Sequence, residues 1–130
     1  MVKGANMKSR WLEQPEEHDF PAAANYLSLL LAPQHAGALA EALKQGDLVR
    51  YKAKDLLRAS RLPLLERDNK YVRNNLKKVE KGEKLSPVLL VRGSIEVDRP
   101  LLVADGYHRI CASYFIDENT EIPCRIVDWA

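Results

Sequence analysis

From Asp19 to Gly46 the apolar positions recur at helical spacing. Ala23, Tyr26, Leu27, Leu30 and Leu31 fall three and four residues apart behind Asp19 and Pro21, which predicts a helix over residues 19–32 that stops before Pro33. Leu39 and Leu43 repeat at i, i+4 among alanines, and Gly46 follows where a terminal glycine belongs, so a second helix is expected over His35–Gln45. Together they make a helical hairpin. Val49–Ala53 has strand length, and a brief helix over Asp55–Arg61 must end by Pro63. Asp68 is the expected N-cap of the clearest helix, with Val72, Leu76 and Val79 on one face and Gly82 as its stop. The period then changes. Pro87–Val91 and Leu101–Ala104 are continuous apolar runs of strand length on either side of a polar loop, Arg92–Arg99, and are expected to pair. A further amphipathic helix is expected over His108–Asp117, with Ile110, Tyr114 and Phe115 toward the core, and Glu121–Asp128 closes as a strand.

These elements predict an α/β fold, α+β in a looser classification: a small mixed sheet with packed helices and an added N-terminal helical hairpin. Residues 1–47 read as a tail plus hairpin extension and 48–130 as the main domain, one compact unit overall. The 130 residues, 46% of them apolar, suffice for one core, and no repeat or linker argues for a second. The longest apolar stretch, Pro21–Pro33, is broken by Asn25 and Ser28 and falls short of the roughly 18 residues that suggest a bilayer span. No membrane association is expected. The N-terminus has positive charges without an apolar run behind them, which predicts a cytoplasmic protein. Cys111 and Cys124 fit that reducing compartment and read as small buried residues. The stripe Tyr26, Leu27, Leu30, Leu31, Leu39 and Leu43 exceeds what the domain itself would cover, so a homodimer through the hairpin is expected; packing within the chain is the alternative.

Charge is uneven. Residues 50–84 hold twelve Lys and Arg against five acids, while the whole chain is only +2. Such a block suits phosphates or is an ordinary solvated helix face. Nucleic acid is not the favoured partner, since extended duplex binding would ask for more positive charge. His18, His35 and His108 lie far apart, and with two cysteines they give no metal-ligand spacing.

One junction carries chemistry: the run Asp105-Gly106-Tyr107-His108-Arg109 between a strand and a helix. N–H groups opening a helix lack intrahelical partners and favour an anion. Gly106 admits a positive φ and close approach of a ligand, Arg109 offers a planar fork for phosphate oxygens, and His108 is a titratable donor. Alternatively Asp105 caps the helix, with His108 and Arg109 solvated in its first turn. Asp105 could also coordinate a Mg2+ ion bridging nucleotide phosphates. Glu16, Glu17 and Asp19 would supply a base if the hairpin folded over the turn, but solvated helix-start acids are the expectation.

The chain resembles the ParB/sulfiredoxin-like superfamily (ParB-like nuclease domains among them) over about residues 48–128. The resemblance rests on Tyr51–Leu57, a basic helix ending Glu80-Lys-Gly82, Leu85–Val91, Leu102-Val-Ala-Asp-Gly-Tyr-His-Arg109 and Ile122–Val127. It implies that Gly106, His108 and Arg109 hold the phosphates of a nucleotide, ATP or CTP. By position it adds Asn74 and Lys78 on the preceding helix as polar groups turned toward that nucleotide. Tyr107 stands where sulfiredoxins carry their catalytic cysteine, which disfavours that chemistry. Typical ParB proteins have two arginines in the turn, a second nucleotide motif and a helix-turn-helix reader, whereas this chain ends at Ala130, so partition-site recognition is not expected. The superfamily also includes free-serine kinases with a Gly-x-His-Arg turn, but no residue here is assigned as their catalytic acid. The expected function is nucleotide binding with hydrolysis or phosphoryl transfer; the alternative is a non-catalytic DNA-associated or regulatory ParB-like module. Only Asp105 and His108 stand ready as a base beside the phosphate, so the residues leave open whether there is turnover.

Overall fold

Among the described residues the periodicities resolve into five helices and a four-stranded mixed sheet, a small α+β fold. The computed structural model describes residues 10–129, and the cationic tail of residues 1–9 lies outside them. The order is α1 (Asp19–Leu27), α2 (Pro33–Gln45), β1 (Leu48–Lys52), α3 (Ala53–Ser60), α4 (Lys70–Glu80), β2 (Val88–Val91), β3 (Leu102–Asp105), α5 (Tyr107–Ile116) and β4 (Glu121–Val127). The sheet runs β1-β4-β2-β3, with β1 and β3 antiparallel to their neighbours and β2 parallel to β4.

The β2 sequence is apolar at every position because both faces of the strand are covered. Val88 and Leu90 enter one core with Leu56 of α3, Val72 and Leu76 of α4, Ile110 of α5 and Ile122 of β4. Leu89 and Val91 point the other way, into a second core formed by the hairpin through Phe20, Leu27, Leu39 and Leu43. The hairpin therefore seals the second face of the sheet, which divides its apolar stripe. Leu27, Leu39 and Leu43 are buried within the chain, whereas Tyr26 and Leu30 remain exposed.

Several boundaries differ from expectation by a residue or two, among them α2, which opens at Pro33, and α3, which opens at Ala53; three differences have a clear physical cause. α1 stops at Leu27 rather than residue 32. The Ser28 hydroxyl bonds the Asn25 carbonyl at 2.7 Å, and the N–H groups of Leu30 and Leu31 both turn back to Leu27, so the chain reverses in time for Pro33 to open α2. Asn69, not Asp68, caps α4: its side chain accepts from the N–H groups of Tyr71 at 3.0 Å and Val72 at 3.2 Å. Either residue type caps well, and the frame is set by which start turns Val72 and Leu76 inward. Gly82 does end α4: at φ +79° it lets its own N–H reach Val79 and that of Glu83 reach Lys78. The third boundary is at α5, where Asp105 does not act as the cap.

Candidate functional site

β3 delivers the chain to α5 through Gly106, which takes φ 117° at the N-cap position and supplies no side-chain cap. Asp105 turns aside instead. Its carboxylate accepts from the Arg109 guanidinium at 2.8 Å, one helical turn on, and both side chains are largely buried. Four residues of separation place the guanidinium one helical turn beyond the carboxylate, where the two can pair. The space where a Gly106 side chain would stand is already filled: an added Cβ would meet Val88 Cβ at 2.9 Å, Arg109 Nη2 at 2.9 Å and Val88 Cγ1 closer still. On that side the close approach expected of a ligand is made by the protein's own core. The helical ladder opens with Ile110 N–H to the Gly106 carbonyl at 3.0 Å, so the N–H groups of Tyr107, His108 and Arg109 precede it.

His108 lies half-buried between two phenol rings, 5.1 Å from Tyr71 and 5.6 Å from Tyr107. Burial, reinforced by the Arg109 charge, holds its pKa below the usual value, so the imidazole is neutral at pH 7. Tyr107 anchors the turn by donating its hydroxyl to the Pro63 carbonyl at 2.5 Å. Asn74 and Lys78 are exposed on α4, three and seven residues beyond Tyr71, and so share the flank that brings Tyr71 to His108. The structure thus gathers Asp105, Gly106, His108 and Arg109 into one turn and leaves Asn74 and Lys78 exposed on the helix that carries Tyr71. Among the described residues, neither of those two makes a side-chain hydrogen bond to the turn.

The expectation of solvated acids at the start of the hairpin holds for Glu16 and Glu17, which are exposed, and fails for Asp19, which is 2% exposed. Asp19 accepts hydrogen bonds from the Ser86 hydroxyl and from the Glu16 N–H at 3.1 Å, with His18 Nε2 at 3.4 Å. It also reaches Asp105. Burial raises the Asp105 carboxyl above its ordinary range, Arg109 opposes that shift, and the adjoining Asp19 carboxyl adds to it. α1 packs on β3, and this long-range contact creates the pair. Local spacing holds no trace of a contact between residues 86 positions apart, nor of Ser86 and Tyr71 as members of the site.

Arg109 donates through Nη2 to Asp105 and, at 3.4 Å, to the Pro87 carbonyl; its buried Nε has no protein partner among the described residues. The Arg109 guanidinium takes up one oxygen of Asp105, Oδ2. Among the described residues no three His, Cys, Asp or Glu side chains converge, and no helix is long and apolar enough to cross a membrane. Both cysteines are free and fully buried, and burial pushes the Cys124 thiol up to about 12. Compared with known proteins, the chain matches no protein-family model, no curated protein and no solved structure.

Proposed function

We propose that the N-terminal end of α5 binds a phosphate of a nucleotide, ATP or CTP, as a ParB/sulfiredoxin-like domain would. The observation that supports this most is the turn itself: three N–H groups ahead of the helical ladder stand beside an arginine whose orientation is set by Asp105. Lys78 and Asn74 line the flank from which the rest of a nucleotide would be held. Neutral His108 is the group able to accept a proton next to that phosphate, which is the basis for hydrolysis or phosphoryl transfer. Magnesium would arrive with the nucleotide, and no step is assigned to it. A homodimer through the hairpin rests on Tyr26 and Leu30, the exposed part of the stripe, with exposed Leu29 beside them; a monomer by light scattering at high concentration removes it. A cytoplasmic setting, supported by the two free cysteines, belongs to the same reading.

Calorimetry with ATP, CTP and inorganic phosphate, with and without magnesium and serine, followed by a phosphate-release assay, tests the proposal. Arg109→Ala should weaken nucleotide binding by roughly ten- to a hundredfold, and Arg109→Lys should recover only part of it. Because Arg109→Ala also strands the Asp105 carboxylate, Asp105→Asn/Arg109→Ala serves as the stability control. Wild-type protein that binds none of the three ligands sinks the proposal. The second reading, a regulatory or DNA-associated module, is favoured by the exposed cations Lys70, Arg73, Lys77 and Lys81 along α4; salt-sensitive DNA retention without nucleotide turnover would select it.

A further inference from the structure

At the opposite end of β3 from the Gly106 turn, a cleft of about 720 Å³ opens between α3 and the loop over residues 92–101. Its volume falls within the range that small-molecule sites occupy. The inner surface is apolar, formed by Leu56, Leu90 and Ile126, with Tyr51 at one side. Four arginines, Arg58, Arg61, Arg92 and Arg99, line the rest. Three of them are neutralised within the chain: Arg58 by Asp55 at 2.9 Å, Arg61 by Asp98 at 2.6 Å and Arg92 by Asp128 at 2.8 Å. Arg99 differs. Among the described residues no carboxylate meets it; its guanidinium lies 4.3 Å from the centre of the Trp129 ring, and its buried Nε has no acceptor.

The wall that carries Arg99 is fixed. Ser94 and Arg99 exchange two backbone hydrogen bonds of 2.8 Å, and Leu101 N–H bonds the Ala59 carbonyl at 3.0 Å, tying the loop to α3. Gly93 is required there, because a Cβ would stand 2.5 Å from the Arg99 carbonyl oxygen. A stacked arginine on a pinned loop loses little freedom when it takes up a ligand. Among the described residues Arg99 is the arginine of this cleft that meets no carboxylate, and a cation at the edge of an apolar hollow matches a ligand with one anionic group on an apolar body.

We propose that this cleft binds a small organic acid, a carboxylate or phosphate monoester with an apolar body, whose anionic group is received by Arg99. The apolar part rests on Leu56, Leu90 and Ile126. This site is separate from the α5 turn, and neither depends on the other.

The test uses the full chain, isotopically labelled, with three probes of one shape: 1-naphthoate, 1-naphthyl phosphate and the uncharged 1-naphthamide. At least one anion should shift the amide resonances of residues 92–101 and α3, and should bind roughly ten- to a hundredfold more tightly than the amide. Whichever anion binds better identifies the acid. Arg99→Gln should abolish the preference for the anion, and Arg99→Lys should retain part of it. Because the comparison between anion and amide needs only wild-type protein, the proposal stays testable if Arg99→Gln does not fold. Equal binding of anion and amide, shifts confined to residues 105–109, or no binding of any probe would overturn it.

Discussion

Replacing Gly106 by Ala perturbs the turn in two separable ways. At φ 117° an L-residue meets backbone strain of roughly 1–2 kcal/mol. The new methyl also collides with Val88, a fully buried residue of the central core, and overpacking of this kind costs about 1–3 kcal/mol. Together they should destabilise the domain by roughly 2–5 kcal/mol, which for a chain of this size lowers the melting temperature by about 6–20 °C. Thermal unfolding followed by far-ultraviolet circular dichroism reads the shift. Val88→Ala alone should cost about 1–3 kcal/mol for the methyls removed. In the double variant the closest contact, with Val88 Cγ1, is removed while those with Val88 Cβ and Arg109 Nη2 at 2.9 Å remain, so the combined loss should fall short of the sum by part of that overpacking cost, about 1 kcal/mol. A Gly106→Ala protein melting within about 2 °C of wild type, or strictly additive losses in the double variant, would refute the reasoning.

Three further outcomes are expected. Because burial places the folded-state pKa of Asp105 above its ordinary value of 3.8, its contribution is full below that value and is lost as pH rises through the folded pKa. Stability measured by urea unfolding from about pH 3.5 to 7 should therefore decline less with rising pH in Asp105→Asn than in wild type, and identical slopes would contradict this. Leu27→Ala, at a fully buried position of the hairpin, should cost about 2–5 kcal/mol of global stability; loss of protection from hydrogen exchange in α1 and α2 alone would show that the hairpin is not part of the same cooperative unit. Cys111 and Cys124 should both resist a thiol reagent in native protein and react in denaturant, since each is completely buried and burial raises both thiols.

The parts of the fold that were legible are those whose cause is local. The unbroken apolar run of β2 reports two covered faces, and Gly106 between a strand and a helix reports a backbone turn that other residues resist. The cap of α4 was missed by one residue because Asp68 and Asn69 are chemically equivalent there, and only the packing of Val72 and Leu76 chooses between them. The site was legible as a turn but not as a set of partners. Asp105 reads as a cap until Arg109 is seen to reach it, and Asp19 reads as solvated until α1 is laid across β3. The four arginines of the cleft come from α3, the chain after it and the 92–99 loop, a gathering no periodicity encodes.

The strand order carries a consequence for synthesis. β4, made after the other three strands, lies between β1 and β2, and β1 has no other neighbour in the sheet. While the ribosome is still adding residues 121–127, β1 has been waiting unpaired since residue 52, and the β2–β3 hairpin leaves open the β2 edge that β4 will cover. Helices can form during that interval, but the layer they pack on cannot close. Closure of the sheet therefore waits for β4, and until then the nascent chain carries an unsatisfied edge that a chaperone or a second nascent chain can meet first.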